Sequence, residues 1–86
     1  MDINQLIEIV KSKISNQISL ESIEIVDKTF LHKKHKGHQE GKFHVKIIIS
    51  SKELTKLSKI ESNKKIYKIL DEEMKNYIHS IEIILN

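Results

Sequence analysis

The segment Phe43-His44-Val45-Lys46-Ile47-Ile48-Ile49 alternates in side-chain character, as a half-buried β-strand does. Its odd-numbered residues are all apolar, whereas His44 and Lys46 fall on the opposite face, where we expect His44 to be half-exposed. Residues 22–27 (SIEIVD) show the same alternation and predict an earlier strand. Because consecutive strands usually lie side by side, the two are predicted to pair in an antiparallel manner.

Helical periodicity flanks these strands on both sides. Asp2 and Gln5 form a capping-box pattern before a first helix, predicted over residues 3–15. A short helical turn is predicted after Ser51, where Leu54 and Leu57 recur at helical spacing. A second capping-box pattern precedes a longer helix, predicted over residues 60–76. The apolar residues that define these two longer helices are Ile3, Leu6, Ile7, Val10 and Ile14 in the first, and Ile66, Ile69, Leu70, Met74 and Tyr77 in the second.

A final strand is predicted from the alternation of Ile81, Ile83 and Leu85. The predicted order of elements is therefore α-β-β-α-α-β, within one domain over residues 1–86. A single amphipathic sheet with helices on one face buries these apolar stripes most simply. The expected fold class is α+β, with a three-stranded sheet in a two-layer arrangement.

Composition excludes several classes of protein. The chain has no cysteine, so disulfides and thiolate metal sites are excluded, and a metal ligand of this chain would be His, Asp or Glu. The first residues, MDINQLIEIV, do not have the pattern of a signal peptide, and no apolar run approaches the ~20 residues of a membrane span. A cytoplasmic protein without membrane association is expected.

The charge is carried by fifteen lysines without any arginine, for a net charge of +3. Six lysines lie between Lys28 and Lys46 and six more between Lys52 and Lys68, against three acids in the two segments together. This distribution is compatible with an anionic partner. The absence of arginine argues against specific base readout, because guanine is usually contacted by arginine. Lysine serving only as the solubilising residue is the simpler interpretation.

Histidines mark the predicted loop over residues 28–42. Three of them, His32, His35 and His38, lie within seven residues, and neutral imidazole is a good transition-metal ligand. Spacing alone favours a solvated basic loop over a metal site. His79 lies where the last helix meets the last strand, and strict alternation puts it on the face of Ile81. It is either a histidine at the edge of the core or a ligand presented at the end of the sheet.

Catalytic patterns are missing from the sequence. No serine lies in a nucleophile-elbow context, Gly37 and Gly41 do not form a phosphate-binding loop, and the consecutive acids Asp71-Glu72-Glu73 fan around a helix instead of converging. We therefore expect a protein that is not an enzyme.

Two stretches resemble the BolA family. One runs from Ile66-Tyr67 through Leu70 and Glu72-Glu73-Met74 to Ile78-His79-Ser80-Ile81. It is similar to the family's helix with acidic residues followed by a hydrophobic-His-small-hydrophobic strand start. The other combines Asp27, a histidine five residues later and the strand that begins at His44, and it is similar to the family's loop histidine and His-aromatic-basic strand.

The resemblance implies a fold similar to the class II KH domain, and it implies a partner. BolA-like proteins pair with monothiol glutaredoxins and share a [2Fe–2S] cluster, so this chain is expected to act in iron–sulfur cluster assembly, trafficking or iron regulation. The family's ligands map onto His79 and His32, with His35 or His38 as alternatives to His32. Glutathione and the glutaredoxin would supply the thiolates, and no cofactor would be held tightly by the chain alone.

A second function implied by the resemblance is that of a KH-like DNA-binding regulator of transcription and the stress response. Its candidate contacts are five lysines near the start of the second long helix, namely Lys56, Lys59, Lys64, Lys65 and Lys68. Leu54-Thr55-Lys56 stands where the family commonly has a Phe-x-Gly turn, and Ser62-Asn63 stands where it often has Arg-His. Both lie on the family's nucleic-acid surface, so the glutaredoxin role ranks first. A weak homodimer is left open.

Overall fold

The computed structural model describes residues 1–29 and 42–86, and within them it has the predicted mixed α+β architecture. A three-stranded sheet has the order β1-β2-β3; β1 pairs with β2 in an antiparallel manner, and β2 pairs with β3 in parallel. The elements, in chain order, are α1 (Ile3–Gln17), β1 (Ser22–Asp27), β2 (Phe43–Ser50), α2 (Lys52–Thr55), α3 (Lys59–Ile69), α4 (Asp71–Asn76) and β3 (Ile78–Leu85).

The first helix begins as predicted and ends two residues later than predicted. Asp2 accepts a hydrogen bond from the backbone N–H of Gln5 at 2.8 Å, and the Gln5 side chain accepts one from the backbone N–H of Asp2 at 3.0 Å. This reciprocal pair satisfies two backbone donors that no helical carbonyl can reach. The helix then buries Leu6, Val10 and Ile14 on one face.

The core lies between one face of the sheet and the helices. Ile25, Val45, Ile47 and Ile49 are buried on that face, and they pack in one cluster with the buried residues of the helices. Those residues are Leu6, Val10, Ile14, Leu54, Ile66 and Leu70. Burial of an aliphatic side chain of this size contributes about 1.5–3 kcal/mol, so the sheet and helices stabilise each other through this single cluster.

The predicted helix over residues 60–76 is wrong, because the chain forms two shorter helices there. Leu70 has φ −97° and ψ +18°, which takes it out of the helical region and separates α3 from α4. Its side chain is fully buried, so the apolar periodicity continues across the break although the helical axis does not. No glycine or proline marks this position, which is why the sequence pattern predicts one continuous helix.

The last strand begins at Ile78, three residues before its predicted alternation, and it contains a β-bulge. Phe43 pairs with Ile78 and His44 pairs with Ser80, so β3 contributes one extra residue, His79, opposite the step from Phe43 to His44. After the bulge, Val45 pairs with Ile81 and the two strands continue in register to Leu85. The bulge reverses the expected orientation of His79 relative to Ile81.

No helix within residues 1–29 and 42–86 is long and apolar enough to cross a membrane.

A partly buried ion pair connects α4 to α1. The Nζ atom of Lys13 lies 2.6 Å from Oε2 of Glu73, whose side chain is only 5 % exposed, and that hydrogen bond raises the pKa of Lys13. Glu73 Oε1 is buried and has no hydrogen-bond partner within the described part of the chain. Lys13 is therefore the main compensation for burying this carboxylate.

We expect Lys13→Met to lower the free energy of unfolding by about 1–3 kcal/mol, because it leaves the Glu73 carboxylate buried and unpaired. Lys75→Met is the matched control, since it breaks an exposed i,i+4 pair with Asp71 and is expected to cost less than about 0.5 kcal/mol. Urea denaturation followed by circular dichroism measures both. Equal effects of the two variants would contradict the structural role of the Lys13–Glu73 pair.

A second ion pair predicts a dependence of stability on pH. Glu53 accepts hydrogen bonds from Lys65 Nζ at 2.8 Å and from the backbone N–H of Ser19 at 3.2 Å, and these lower the pKa of Glu53 from its ordinary 4.5. A carboxyl with a lowered pKa stabilises the fold above its unfolded-state pKa, and this contribution disappears as the pH falls through the folded-state pKa.

Glu53→Gln should therefore lower the Tm at pH 7, and its difference from the wild type should shrink as the pH is lowered below 4.5. Thermal melts at a series of pH values measure this, with Glu21→Gln, at an exposed position, as the control variant. A Tm difference that stays constant down to acidic pH would contradict the assignment.

Candidate functional site

His79 lies at the bulge near the start of β3 and its side chain is exposed. The preceding residue, Ile78, takes the buried position and is 2 % exposed. Strict alternation along the strand had placed His79 on the face of Ile81, and the extra residue in the ladder makes that expectation wrong. Of its two sequence-based interpretations, a histidine at the edge of the core does not fit this exposure, and a ligand presented at the end of the sheet stays a prediction.

His44 is the histidine whose environment differs most from expectation. It was predicted to be half-exposed, but it is 5 % exposed. Its Nδ1 atom lies 2.6 Å from Oγ of Ser80, its pairing partner on β3, and its backbone N–H donates to Oγ1 of Thr29 at 3.1 Å. The ring contacts a residue of the neighbouring strand and the main chain contacts a residue after β1, and neither contact can be read from alternation within β2.

The two rings lie close together. The centroids of the His44 and His79 imidazoles are 4.9 Å apart, and the ring planes are tilted by 55°. This separation is within the range of contacting aromatic pairs. The bulge therefore juxtaposes a buried imidazole, hydrogen-bonded to Ser80, with an exposed imidazole on the same strand pair.

The predicted loop histidines His32, His35 and His38 lie outside the described residues, but the chain on both sides of them is described. The backbone N–H of Lys28 donates to the carbonyl of His44 at 2.7 Å, and that of Phe43 donates to the carbonyl of Tyr77 at 2.8 Å. Lys42 Nζ also donates to the backbone carbonyl of Lys75 at 3.4 Å. Both ends of the segment that carries these histidines are thus attached next to His44 and the start of β3.

A small cavity of about 300 Å³ opens beside His44 on the face of the sheet away from the helices. Its charged and polar lining consists of Lys28, Lys46, Ser80 and Glu82 together with His44. Within the described ranges, Lys28, Lys42 and Lys46 take part in no ion pair. The surroundings of the two histidines therefore have an excess of positive charge, which suits an anionic ligand or partner surface.

Within residues 1–29 and 42–86, no group of three or more His, Cys, Asp or Glu side chains is arranged to hold a metal ion. This part of the chain offers one exposed imidazole, of His79, and a second, buried one beside it. A transition-metal centre at this position would need ligands from outside the described residues, and thiolates would have to come from another molecule because the chain has no cysteine.

The five lysines of the predicted nucleic-acid surface lie on α3 and just before it. Lys56, Lys59, Lys64 and Lys68 are exposed, whereas Lys65 is partly buried and paired with Glu53. Two apolar side chains on the same helix are also exposed, Ile60 at 69 % and Tyr67 at 42 %. The helix thus presents a surface that combines positive charge with exposed apolar groups.

Sequence reasoning singled out His79 and missed the pair formed by His44 and Ser80. The one signal in the sequence that could have indicated this pair is that His44 and Ser80 both lie on strands with apolar alternation. Which residues face each other across two parallel strands depends on the register, and the bulge that sets this register has no marker such as glycine in the sequence.

Comparison with known proteins places this geometry in a family. The family model described as BolA-like protein matches residues 14–86. A protein of Haemophilus influenzae named DNA-binding transcriptional regulator BolA is 28% identical over 85 residues, which cover 99% of this chain and 77% of that protein.

Solved structures share the fold. The BolA domain of SufE1 from Arabidopsis thaliana has a TM-score of 0.78 at 20% identity and covers 100% of this chain and 93% of its own. BolA1 from the same plant has a TM-score of 0.76 at 21% identity, with coverage of 90% and 85%. BolA1 from Mus musculus has a TM-score of 0.72 at 17% identity, with coverage of 90% and 60%. The chain, with the element order α-β-β-α-α-α-β and a histidine at the start of β3, belongs to the BolA family.

Proposed function

We propose that this chain is the histidine-bearing partner of a monothiol glutaredoxin, with which it shares a [2Fe–2S] cluster in iron–sulfur cluster assembly, trafficking or iron regulation. One observation carries the proposal. The exposed imidazole of His79 lies at a bulge beside the two attachment points of the segment that contains His32, His35 and His38. This role is not catalytic, and it belongs in the cytoplasm.

The donor set of the chain fits one half of such a site. His79 is the first ligand, and His32 is the second, with His35 and His38 as alternatives. The glutaredoxin and its glutathione supply the thiolates that this chain lacks. When bound, the cluster supplies one-electron redox chemistry and transferable iron. Imidazole ligands raise the reduction potential of such a cluster relative to thiolate ligands. Imidazole can also be protonated, so the bonds from the histidines to the cluster are more labile than the bonds from the thiolates.

Charge supports the same partner. A thiolate-ligated cluster with glutathione is anionic, and Lys28, Lys42 and Lys46 surround the histidine site outside any ion pair in the described ranges. Attraction between these groups favours association and weakens with added salt. The same positive charge would repel a free metal cation, so histidines in this lysine-rich region are better suited to bind an anionic cluster.

The ligand role of His79 is tested by mixing the chain with a cluster-loaded monothiol glutaredoxin and recording visible circular dichroism. We expect the wild type to change the spectrum of the loaded glutaredoxin and His79→Ala to leave that spectrum unchanged, because a cluster ligand is lost. Separate His32→Ala, His35→Ala and His38→Ala variants identify the second ligand, because the variant that lacks it should also fail to change the glutaredoxin spectrum.

Glu61→Gln is the control variant, since its exposed side chain lies on α3, and it should behave like the wild type. If His79→Ala produced the full wild-type spectrum, the ligand assignment would be wrong. If the wild type itself left the glutaredoxin spectrum unchanged, the shared-cluster function would be wrong.

A second candidate function, as a KH-like DNA-binding regulator of transcription and the stress response, is favoured by the surface of α3. Lys56, Lys59, Lys64 and Lys68 are exposed and form no ion pair within the described residues. The Haemophilus influenzae relative is also named as a DNA-binding transcriptional regulator. Because the chain has no arginine, its affinity would come from phosphate contacts, with little discrimination between bases.

Fluorescence anisotropy with a labelled 30-base-pair duplex, measured over a range of salt concentrations, tests this second function. If the four lysines contact phosphates, replacing all of them by glutamine should reduce the slope of log K against log salt by about 3–4, since each contact contributes about 0.9. A control variant that carries both Lys11→Gln and Lys75→Gln should keep the wild-type slope of log K against log salt. Failure of the wild type to bind any duplex at low salt would exclude the function.

A further inference from the structure

We infer that His44 is a positioning residue for His79: together with Ser80, it holds the exposed imidazole in the orientation in which it meets the partner. This inference rests on the proposed cluster-sharing function, in which His79 is the ligand. His44 itself is assigned no bond to the cluster.

The need for positioning follows from where His79 lies. Its side chain is exposed, and an exposed histidine can exchange among several χ1 and χ2 rotamers. An imidazole that samples several orientations must lose that freedom when it binds a metal, and this loss weakens the complex. A neighbouring group that restricts the ring beforehand reduces the loss.

The His44 ring is such a group. It lies 4.9 Å from the His79 ring, centroid to centroid, at a tilt of 55°, and this separation is within the range of contacting aromatic rings. It is also on the neighbouring strand at the step where the bulge occurs, and the His79 side chain remains exposed beside it.

The His44 ring is itself held in place. Ser80 Oγ lies 2.6 Å from Nδ1, and Ser80 is the residue directly after His79, so the same hydroxyl connects the buried ring to the backbone that carries the exposed one. The His44 side chain is almost completely buried, which restricts it further. A ring buried in this way, with Nδ1 engaged by Ser80, suits a support better than a ligand for a cluster brought by another protein.

The backbone of His44 also holds the segment that leads to the second ligand. Its N–H donates to Thr29 Oγ1 at 3.1 Å, and its carbonyl accepts from the N–H of Lys28 at 2.7 Å. His44 therefore contacts both ligand-bearing parts of the chain, His79 through its ring and the residues before His32 through its main chain. A substitution of the His44 side chain tests the ring contact alone, because it removes the ring and keeps the backbone N–H and carbonyl that make the other contacts.

Three variants test the contributions of the His44 ring, its Nδ1 atom and the Ser80 hydroxyl separately. His44→Gln removes the ring and keeps a polar group for Ser80, His44→Phe keeps an aromatic ring and removes Nδ1, and Ser80→Ala removes the hydroxyl at an exposed position. The first measurement uses the chain alone: NMR couplings and nuclear Overhauser effects report how far the His79 side chain populates one χ1 rotamer. The second measures the affinity of the complex with a cluster-loaded monothiol glutaredoxin by visible circular dichroism.

We expect one dominant His79 rotamer in the wild type and rotamer averaging in His44→Gln. The affinity of the complex should then fall about three- to tenfold, as the loss of an aromatic contact and of side-chain order implies. The positions of the dichroism bands should stay the same, because the ligands are the same. His44→Phe should keep most of the rotamer preference, and Ser80→Ala should show an intermediate effect.

Two results would overturn the inference. Wild-type rotamer populations and affinity in His44→Gln would mean that the ring contact does not matter, and loss of the bands, as in His79→Ala, would make His44 a ligand. Thermal melts check that each variant folds. If His44→Gln does not fold, Ser80→Ala provides the test instead. If the wild type forms no cluster complex, the proposed function fails, while the rotamer measurement still decides whether His44 orients His79.

Discussion

The parallel pairing of β2 with β3, interrupted by one bulge, is the constraint on which the rest of the structure depends. Beyond the bulge, Val45 pairs with Ile81 and Ile47 with Ile83, and these residues complete the sheet face against which the helices pack. At the bulge, the extra residue of β3 is His79, which the local change of register leaves exposed. The same irregularity sets His44 opposite Ser80. The position of the histidine site is thus a consequence of how the core closes.

The chemistry of the chain suits a molecule that completes a site in another protein. Its residues include no thiol, and the described part holds no full set of metal ligands. What it offers is imidazole, presented in a positively charged region on the face of the sheet away from the helices. A partner with thiolates and negative charge would complement both properties. The lysines of α3 lie on a different element from His44 and His79, so the two proposed functions can be tested by different substitutions.

Local patterns predicted the elements well, because their causes are local. The capping box of Asp2 and Gln5 and the alternation over residues 22–27 and 43–49 correspond to elements in the structure. The wrong predictions concern features that have no local marker in the sequence. Leu70 breaks the helix while remaining in the core, and His79 changes face at a bulge. His44 is buried, and its ring contacts Ser80, 36 residues away. The periodicity within one helix or strand carries no information on any of these. The predictions for His32, His35 and His38 concern residues outside the described ranges.

The central claim is that histidine nitrogen from this chain binds the shared cluster. Pulsed electron paramagnetic resonance of the reduced complex measures this directly when only this chain is labelled with ¹⁵N at its histidines. A strong ¹⁵N hyperfine coupling should appear with the labelled chain and should be absent with labelled His79→Ala, which is expected to leave the cluster on the glutaredoxin. A complex that contains the cluster but shows no histidine ¹⁵N coupling from the labelled chain would contradict the claim.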